Sequence, residues 1–225
     1  IGKALDVAFS EVLFREDPGA KKRKAEGFNL IVRQVIRMYM HNLIRADMET
    51  GSFSIVSLEE RYVTPLPVLQ NGRKVRIFTG GTIDRIDRVN GKIRIIDYKT
   101  GSVKNQFASP ESLFDHDGKK RNDAAFQVLL YSMIYGKLHP GQIIMPGLYF
   151  IRDSHKDNFS SHILVGAKRE VLDAYSDIGE KFEELLQLHL TRLFDTREPF
   201  TQTDNLEICR YCAYAGICRR ESSDE

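Results

Sequence analysis

Asp84, Asp97 and Lys99 fall within one short stretch, GGTIDRIDRVNGKIRIIDYKTG at 80–101, and have the types and spacing for metal-assisted hydrolysis. Two carboxylates can hold a hard cation through oxygen, as Mg²⁺ is often held. A lysine beside them can stabilise developing negative charge or position an attacking water.

The turn between the aspartates gives the spacing its meaning. Asn90-Gly91 predicts a type I′ hairpin, because both central residues must take positive φ. The flanks are rich in Ile, Val, Thr and Tyr, as strands are. A two-residue loop sets the register. Val89 then faces Lys92, Asp87 faces Arg94, Ile86 faces Ile95 and Asp84 faces Asp97. Side chains alternate along a strand, so Lys99 shares a face with Asp97. Asp87 and Arg94 read as a cross-strand ion pair. Asp84 and Asp97 are like charges in opposition, which destabilises a sheet. At roughly 5 Å and an effective dielectric near 20 the repulsion is about 3 kcal/mol. A shared proton, Lys99 or a divalent cation would offset it. An exposed hairpin with both carboxylates splayed into water is the alternative.

Composition frames this reading. The chain has 225 residues, 42% hydrophobic, with a net charge of +2. Nucleic-acid binding would therefore need a local basic patch. The basic run KKRK at 21–24 is such a candidate, or a solvated loop. Apolar runs are too short to span a membrane, and no secretory signal is visible. The chain begins at Ile1, which reads as a piece of a longer protein. Three cysteines crowd near its end, which is no disulfide framework. A cytoplasmic, reducing compartment is expected. No GxxxxGK[ST] phosphate loop occurs.

The elements that must position these residues follow from periodicity. Helix is predicted over 1–14 and 28–48, the second with a buried stripe of Ile31, Val32, Val35, Ile36, Tyr39, Leu43 and Ile44 ended by Gly51. Strand is predicted over 53–63, 75–89 and 92–99, with a loop at 64–73 of which part can extend the strand. A polar loop covers 102–121. Asn122 or Asp123 caps a helix to about 137. Strands follow at 143–152 and 162–166, then a long amphipathic helix at 168–196. Residues 1–50 read as an incomplete helical segment, 51–200 as the core and 201–225 as a cysteine tail.

Gly81-Thr-Ile-Asp84-Arg85-Ile-Asp87 followed by Asp97-Tyr98-Lys99-Thr100-Gly101 resembles the PD-(D/E)XK nuclease core, and more narrowly its RecB/AddB branch. Gln127 and Tyr131 match that branch's QxxxY motif, and Cys209, Cys212 and Cys218 its cysteine tail. The pieces occur in the family's order from about 53 to 220.

The resemblance implies an α/β, restriction-endonuclease-like core with a mixed central sheet flanked by helices. It implies a DNA nuclease using Mg²⁺ or Mn²⁺. Asp84, Asp97 and the Tyr98 carbonyl would be metal ligands and Lys99 catalytic. Gln127 and Tyr131 would lie beside the site, with Arg85 and Glu59 as accessory candidates. Arg85 and Asp87 also have a structural reading. Such domains carry a further ligand on an N-terminal helix; His41 stands in the wrong surroundings, so that ligand is expected upstream. A [4Fe–4S] cluster needs four thiolates. It is expected only in a full-length parent that supplies the fourth, with a partner helicase–nuclease subunit. Zinc on these cysteines lacks a suitably spaced histidine. The alternatives are a catalytically inactive DNA-binding or scaffold domain and a CRISPR-associated adaptation nuclease.

Overall fold

The structure is a computed structural model that describes the chain except for residues 18–22, 71, 102–103, 116–120, 158, 211 and 221–225. Lys21 and Lys22 of the basic run therefore lie outside the described residues.

The Asn90-Gly91 turn forms as its sequence predicts, with φ of 49° and 80°. It joins β2 (Arg73–Val89) to β3 (Lys92–Lys99). Pairing runs from Val89–Lys92 through Asp87–Arg94 to Arg85–Ile96, in the expected register. β1 (Phe53–Gln70) lies antiparallel on the other side of β2, and β5 (Ile144–Phe150) parallel to β3. The mixed sheet has the order β1-β2-β3-β5.

β1 and β2 outrun the rest of the sheet and continue as a two-stranded ribbon to Gln70–Arg73. The region 64–73 is thus mainly strand, not loop. Pro65 and Pro67 are tolerated because β1 is an edge strand, where a missing N–H costs no ladder bond. Leu66 of the ribbon turns inward onto the main core.

That core fills one face of the sheet. Helix α3 (Asp123–Leu138) starts at Asn122, whose side chain accepts the Ala125 N–H at 3.0 Å. It buries Ala125, Val128, Leu129, Tyr131 and Ile134 among others. α4 (Gly179–Leu193) adds Phe182 and Leu186 to the same core. The predicted long helix over 168–196 therefore begins only at Gly179. Its first part instead forms β7 (Glu170–Val171), which turns back on β6 (Leu164–Val165), and a 3₁₀ turn at Tyr175–Asp177. Leu172 is anchored there by its N–H to the Ile163 carbonyl at 2.9 Å. β6 also pairs with β4 (Gln106–Phe107), inside the region read as loop.

α1 (Gly2–Ala8) and α2 (Phe28–Thr50) precede the sheet, and α5 (Leu206–Cys209) lies in the tail. Gly51 ends α2 with φ of 87°. α2 meets the sheet's second face through Leu43, which packs with Ile96 and Tyr149. Leu43 is the one member of its predicted stripe that is fully buried; Ile31, Val35 and Ile44 are exposed. Only the C-terminal half of α2 reaches the sheet, since Asp47 and Thr50 also contact it there.

Candidate active site

Asp97 and Lys99 stand two apart at the end of β3, on the face covered by α3. Lys99 Nζ lies 2.6 Å from Asp97 Oδ2 and donates to Gln127 Oε1 at 2.7 Å. Gln127 Nε2 in turn donates to the Tyr131 hydroxyl at 3.0 Å. The four-residue spacing puts both on one face of α3. The Tyr131 ring seats against Gly81: a Cβ there would lie 2.8 Å from Tyr131 Cε1 and 2.9 Å from its hydroxyl. A chain of contacts thus runs from Gly81 on β2 through Tyr131 and Gln127 to Lys99 and Asp97.

Asp84 sits where the β2–β3 ladder ends. The last pair is Arg85–Ile96, so Asp84 and Asp97 do not form the expected ladder pair. Hydrogen-bonded pairs alternate, and the next would join Ile83 to Tyr98. Instead the Tyr98 N–H donates to Asp84 Oδ2 at 2.8 Å. The side chain replaces a backbone acceptor as the strands part. The side-chain alternation breaks at the same point. Ile83 and Ile86 are three apart yet share the α3-side core, which a regular strand would forbid. Opposite, between the pairs Leu58–Arg85 and Glu60–Ile83, Glu59 takes a left-handed φ of 50°. Such backbone strain is disfavoured for a side-chain-bearing residue. Glu59 therefore stands at the register position facing Asp84, with its residue exposed.

Asp97 is 1% exposed. Burial pushes its carboxyl pKa up, and the Asp84 charge adds to this, while Lys99 pulls it down. Asp97 Oδ2 is buried, and its partner is the Lys99 ammonium at 2.6 Å. A buried carboxylate close enough to feel the charge of a second one suits a hard divalent cation. Asp84, Asp97 and the Tyr98 carbonyl are all-oxygen donors, so the residues fit Mg²⁺ or Mn²⁺. Among the described residues no cluster of three or more His, Cys, Asp or Glu is set to hold a metal. Glu59 does not complete such a cluster. Cys209 and Cys218 are partly buried and Cys212 exposed; Arg220 reaches Cys209 Sγ at 3.8 Å.

The opposite face carries the accessory candidate Arg85. It binds Asp87 (Nε to Oδ2, 2.8 Å), Asp47 of α2 (Nη1 to Oδ2, 2.7 Å) and the Tyr98 hydroxyl (3.2 Å). Arg94 forks onto Asp87 at 2.9 and 2.8 Å, so the predicted Asp87–Arg94 pair is present. The Tyr149 hydroxyl donates to Asp47 Oδ1 at 3.1 Å. Two carboxylates and two guanidiniums balance in a buried network directly behind the site. It holds Tyr98, whose backbone binds Asp84. Asp47 was not legible as a member, because it lies near the end of a helix far from the hairpin in sequence; its place one turn beyond Leu43 is the available signal.

A sequence model described as the PD-(D/E)XK nuclease superfamily matches residues 1–219. No curated protein matches the chain. The mixed sheet flanked by helices is consistent with a restriction-endonuclease-like fold. Among the described residues no helix is long and apolar enough to cross a membrane.

Proposed function

The chain belongs to the PD-(D/E)XK nuclease superfamily, and we propose that it is a divalent-metal-dependent deoxyribonuclease with Asp84, Asp97 and Lys99 as its catalytic group. The observation that carries this reading is the convergence of Asp97, Lys99 and Gln127 beside Asp84, where the ladder opens. Asp84, Asp97 and the Tyr98 carbonyl would hold Mg²⁺ or Mn²⁺. Such a cation supplies Lewis acidity at a phosphoryl oxygen and acidifies water.

The residues divide the remaining work. Lys99 is held from two sides, by the charge of Asp97 and the neutral amide of Gln127. Its ammonium is thereby aimed before substrate arrives, which is the condition for electrostatic stabilisation without reorganisation. Water attacks phosphorus and gives up a proton to solvent, the P–O bond to the leaving oxygen breaks, that oxygen takes up a proton from solvent, and Lys99 would stabilise the charge that builds on the phosphoryl oxygens. Gln127 and Tyr131 act as positioning residues. The motif order supports the RecB/AddB branch. There the chain would be the exonuclease domain of a double-strand-break repair helicase–nuclease with a partner subunit. Cys209, Cys212 and Cys218 would join a fourth ligand around a [4Fe–4S] cluster.

The test is calorimetric titration of Mn²⁺ into the protein and into Asp84→Asn and Asp97→Asn. Binding by the parent, lost in both variants, supports the reading. A parent that takes up no Mn²⁺ at millimolar concentration, or variants that bind as the parent does, would overturn it.

A further inference from the structure

Asp97, the Tyr98 carbonyl and Lys99 are consecutive on β3, yet the ladder to β2 does not hold them, because it ends at Arg85–Ile96. On their other side they pair with β5, where Tyr98 stands opposite Tyr149. Toward β2, two side-chain bonds take the place of the ladder. Asp84 Oδ2 accepts the Tyr98 N–H at 2.8 Å, and Arg85 Nη1 donates to the Tyr98 hydroxyl at 3.2 Å. Asp84 and Arg85 are neighbours in the chain, so the two bonds close a ring across the parting strands. One bond lies among the candidate metal ligands. The other lies on the α2 face, where the Tyr98 ring packs edge-on against Tyr149 with centroids 5.6 Å apart.

Asp47 of α2 reaches both sides of this ring. Its Oδ2 accepts from the same Arg85 Nη1 at 2.7 Å, and its Oδ1 accepts the Tyr149 hydroxyl at 3.1 Å. Arg85 belongs to β2 and Tyr149 to β5, the two strands that flank β3. A single carboxylate from outside the sheet therefore ties together the strands on either side of Tyr98. Asp87 does not do this, since its partners Arg85 and Arg94 both belong to the hairpin. The Asp47 and Arg85 side chains are only 18% and 5% exposed, so water competes little for these bonds.

We infer that Asp47 is a positioning residue: through Arg85 and Tyr149 it fixes Tyr98, and with Tyr98 the placement of Asp84 relative to Asp97. The inference rests on the nuclease reading for the metal that these carboxylates hold. Its mechanical part, the seating of the Tyr98 N–H on Asp84, needs no metal. Groups behind metal ligands orient them, and their mutation typically costs 10–100-fold in metal affinity. Asp47→Asn keeps the size of the side chain but loses the charge facing Arg85 and one of the two acceptor oxygens. Arg85 Nη1 is then free to leave the Tyr98 hydroxyl, and β2 and β3 part further. A residue that only stabilised the fold would lower the melting temperature and leave the metal site of the folded protein unchanged.

The experiment makes two measurements well below the melting temperature of every variant. Calorimetry gives the Mn²⁺ dissociation constant. Amide hydrogen exchange by NMR, without metal, gives the protection of the residue-98 N–H relative to that of Ile93, which the Ile143 carbonyl holds at 2.8 Å. The set is the parent, Asp47→Asn, Tyr98→Phe, the double variant, and Leu43→Ala, which loosens α2 through packing alone. Asp47→Asn is expected to weaken Mn²⁺ binding by about tenfold or more and to speed residue-98 exchange relative to Ile93. Tyr98→Phe, which loses only a hydroxyl, should shift both in the same direction. The double variant should be little worse than Asp47→Asn, because both changes break one path. Leu43→Ala should melt lower and keep the parent's Mn²⁺ affinity and relative exchange. Relative residue-98 exchange in Asp47→Asn that matches the parent overturns the inference, as do equal losses in Leu43→Ala. Parent and Asp47→Asn binding Mn²⁺ equally well sinks the positioning role and leaves the nuclease reading intact. A parent that binds no Mn²⁺, with residue-98 exchange still faster in Asp47→Asn, sinks the nuclease reading and leaves the tie from α2 to Tyr98 standing.

Discussion

Lys99 Nζ and Asp97 Oδ2 lie 2.6 Å apart at the end of β3, and each restrains the other. The buried carboxylate needs a cation nearby, and the ammonium needs a fixed direction. Burial raises the Asp97 pKa and Lys99 counters it. Lys99→Met therefore raises that pKa further. Metal binding requires the ionised carboxylate. The pH at which Mn²⁺ affinity falls by half should move upward in Lys99→Met, read by titration calorimetry across pH 5–8. An unshifted midpoint would show that Lys99 does not face Asp97.

The same carboxylate should cost stability. A carboxyl whose folded pKa is raised binds protons more readily in the native state. Its favourable contribution is present below the unfolded pKa and is lost as pH rises through the folded one. At neutral pH Asp97 is thus a buried charge that the fold tolerates. Asp97→Asn is expected to raise the melting temperature at pH 7 relative to the parent, and the difference should shrink as pH falls toward 4. Thermal melts without added metal check this, and a lower melting temperature for the variant at pH 7 would contradict it.

Gly81 makes room for Tyr131. A methyl at that position meets the ring and its hydroxyl at 2.8–2.9 Å. Gly81→Ala must displace the tyrosine and, through Gln127, the Lys99 ammonium. The loss is expected in kcat, on the order of 10²-fold for an ångström-scale misplacement. The Mn²⁺ dissociation constant should stay near the parent's, because the carboxylates do not move with α3. A mutant that loses Mn²⁺ binding while its turnover at saturating metal is unchanged would reverse this assignment.

The buried network should dominate the local stability. Asp47→Ala leaves Arg85, whose side chain is 5% exposed, short of a carboxylate partner. Removing one member of a buried pair costs about 3 kcal/mol or more. Lys181→Ala removes a pair with Glu184 whose side chains are 44% and 68% exposed, worth at most about 1 kcal/mol. Urea midpoints for the two variants should separate accordingly. Equal midpoints would mean that α2 is held by Leu43 and its apolar contacts alone.

Short-range chemistry explains what could be read from the chain alone. Asn90-Gly91 dictates its own turn, the turn dictates the register, and the register brings Asp87 onto Arg94 and sets Asp97 and Lys99 on one face. Asn122 marks the start of α3, and the four-residue step from Gln127 to Tyr131 puts both on one side of it. Those are consequences of residues a few positions apart. Tertiary contacts decided the rest. Amphipathic spacing over 168–196 suited a helix, but pairing of Glu170–Val171 with β6 took its first part. Apolar spacing in α2 suited a buried stripe, but only the end of the helix meets the sheet. No local rule could foresee that the ladder would stop at Arg85–Ile96, with Asp84 turning its carboxylate to the Tyr98 N–H. Nor could one foresee that Asp47 would cross from α2 to Arg85. Periodicity specifies which side of an element is apolar, whereas the surface that meets it depends on how distant segments compete to cover the same sheet.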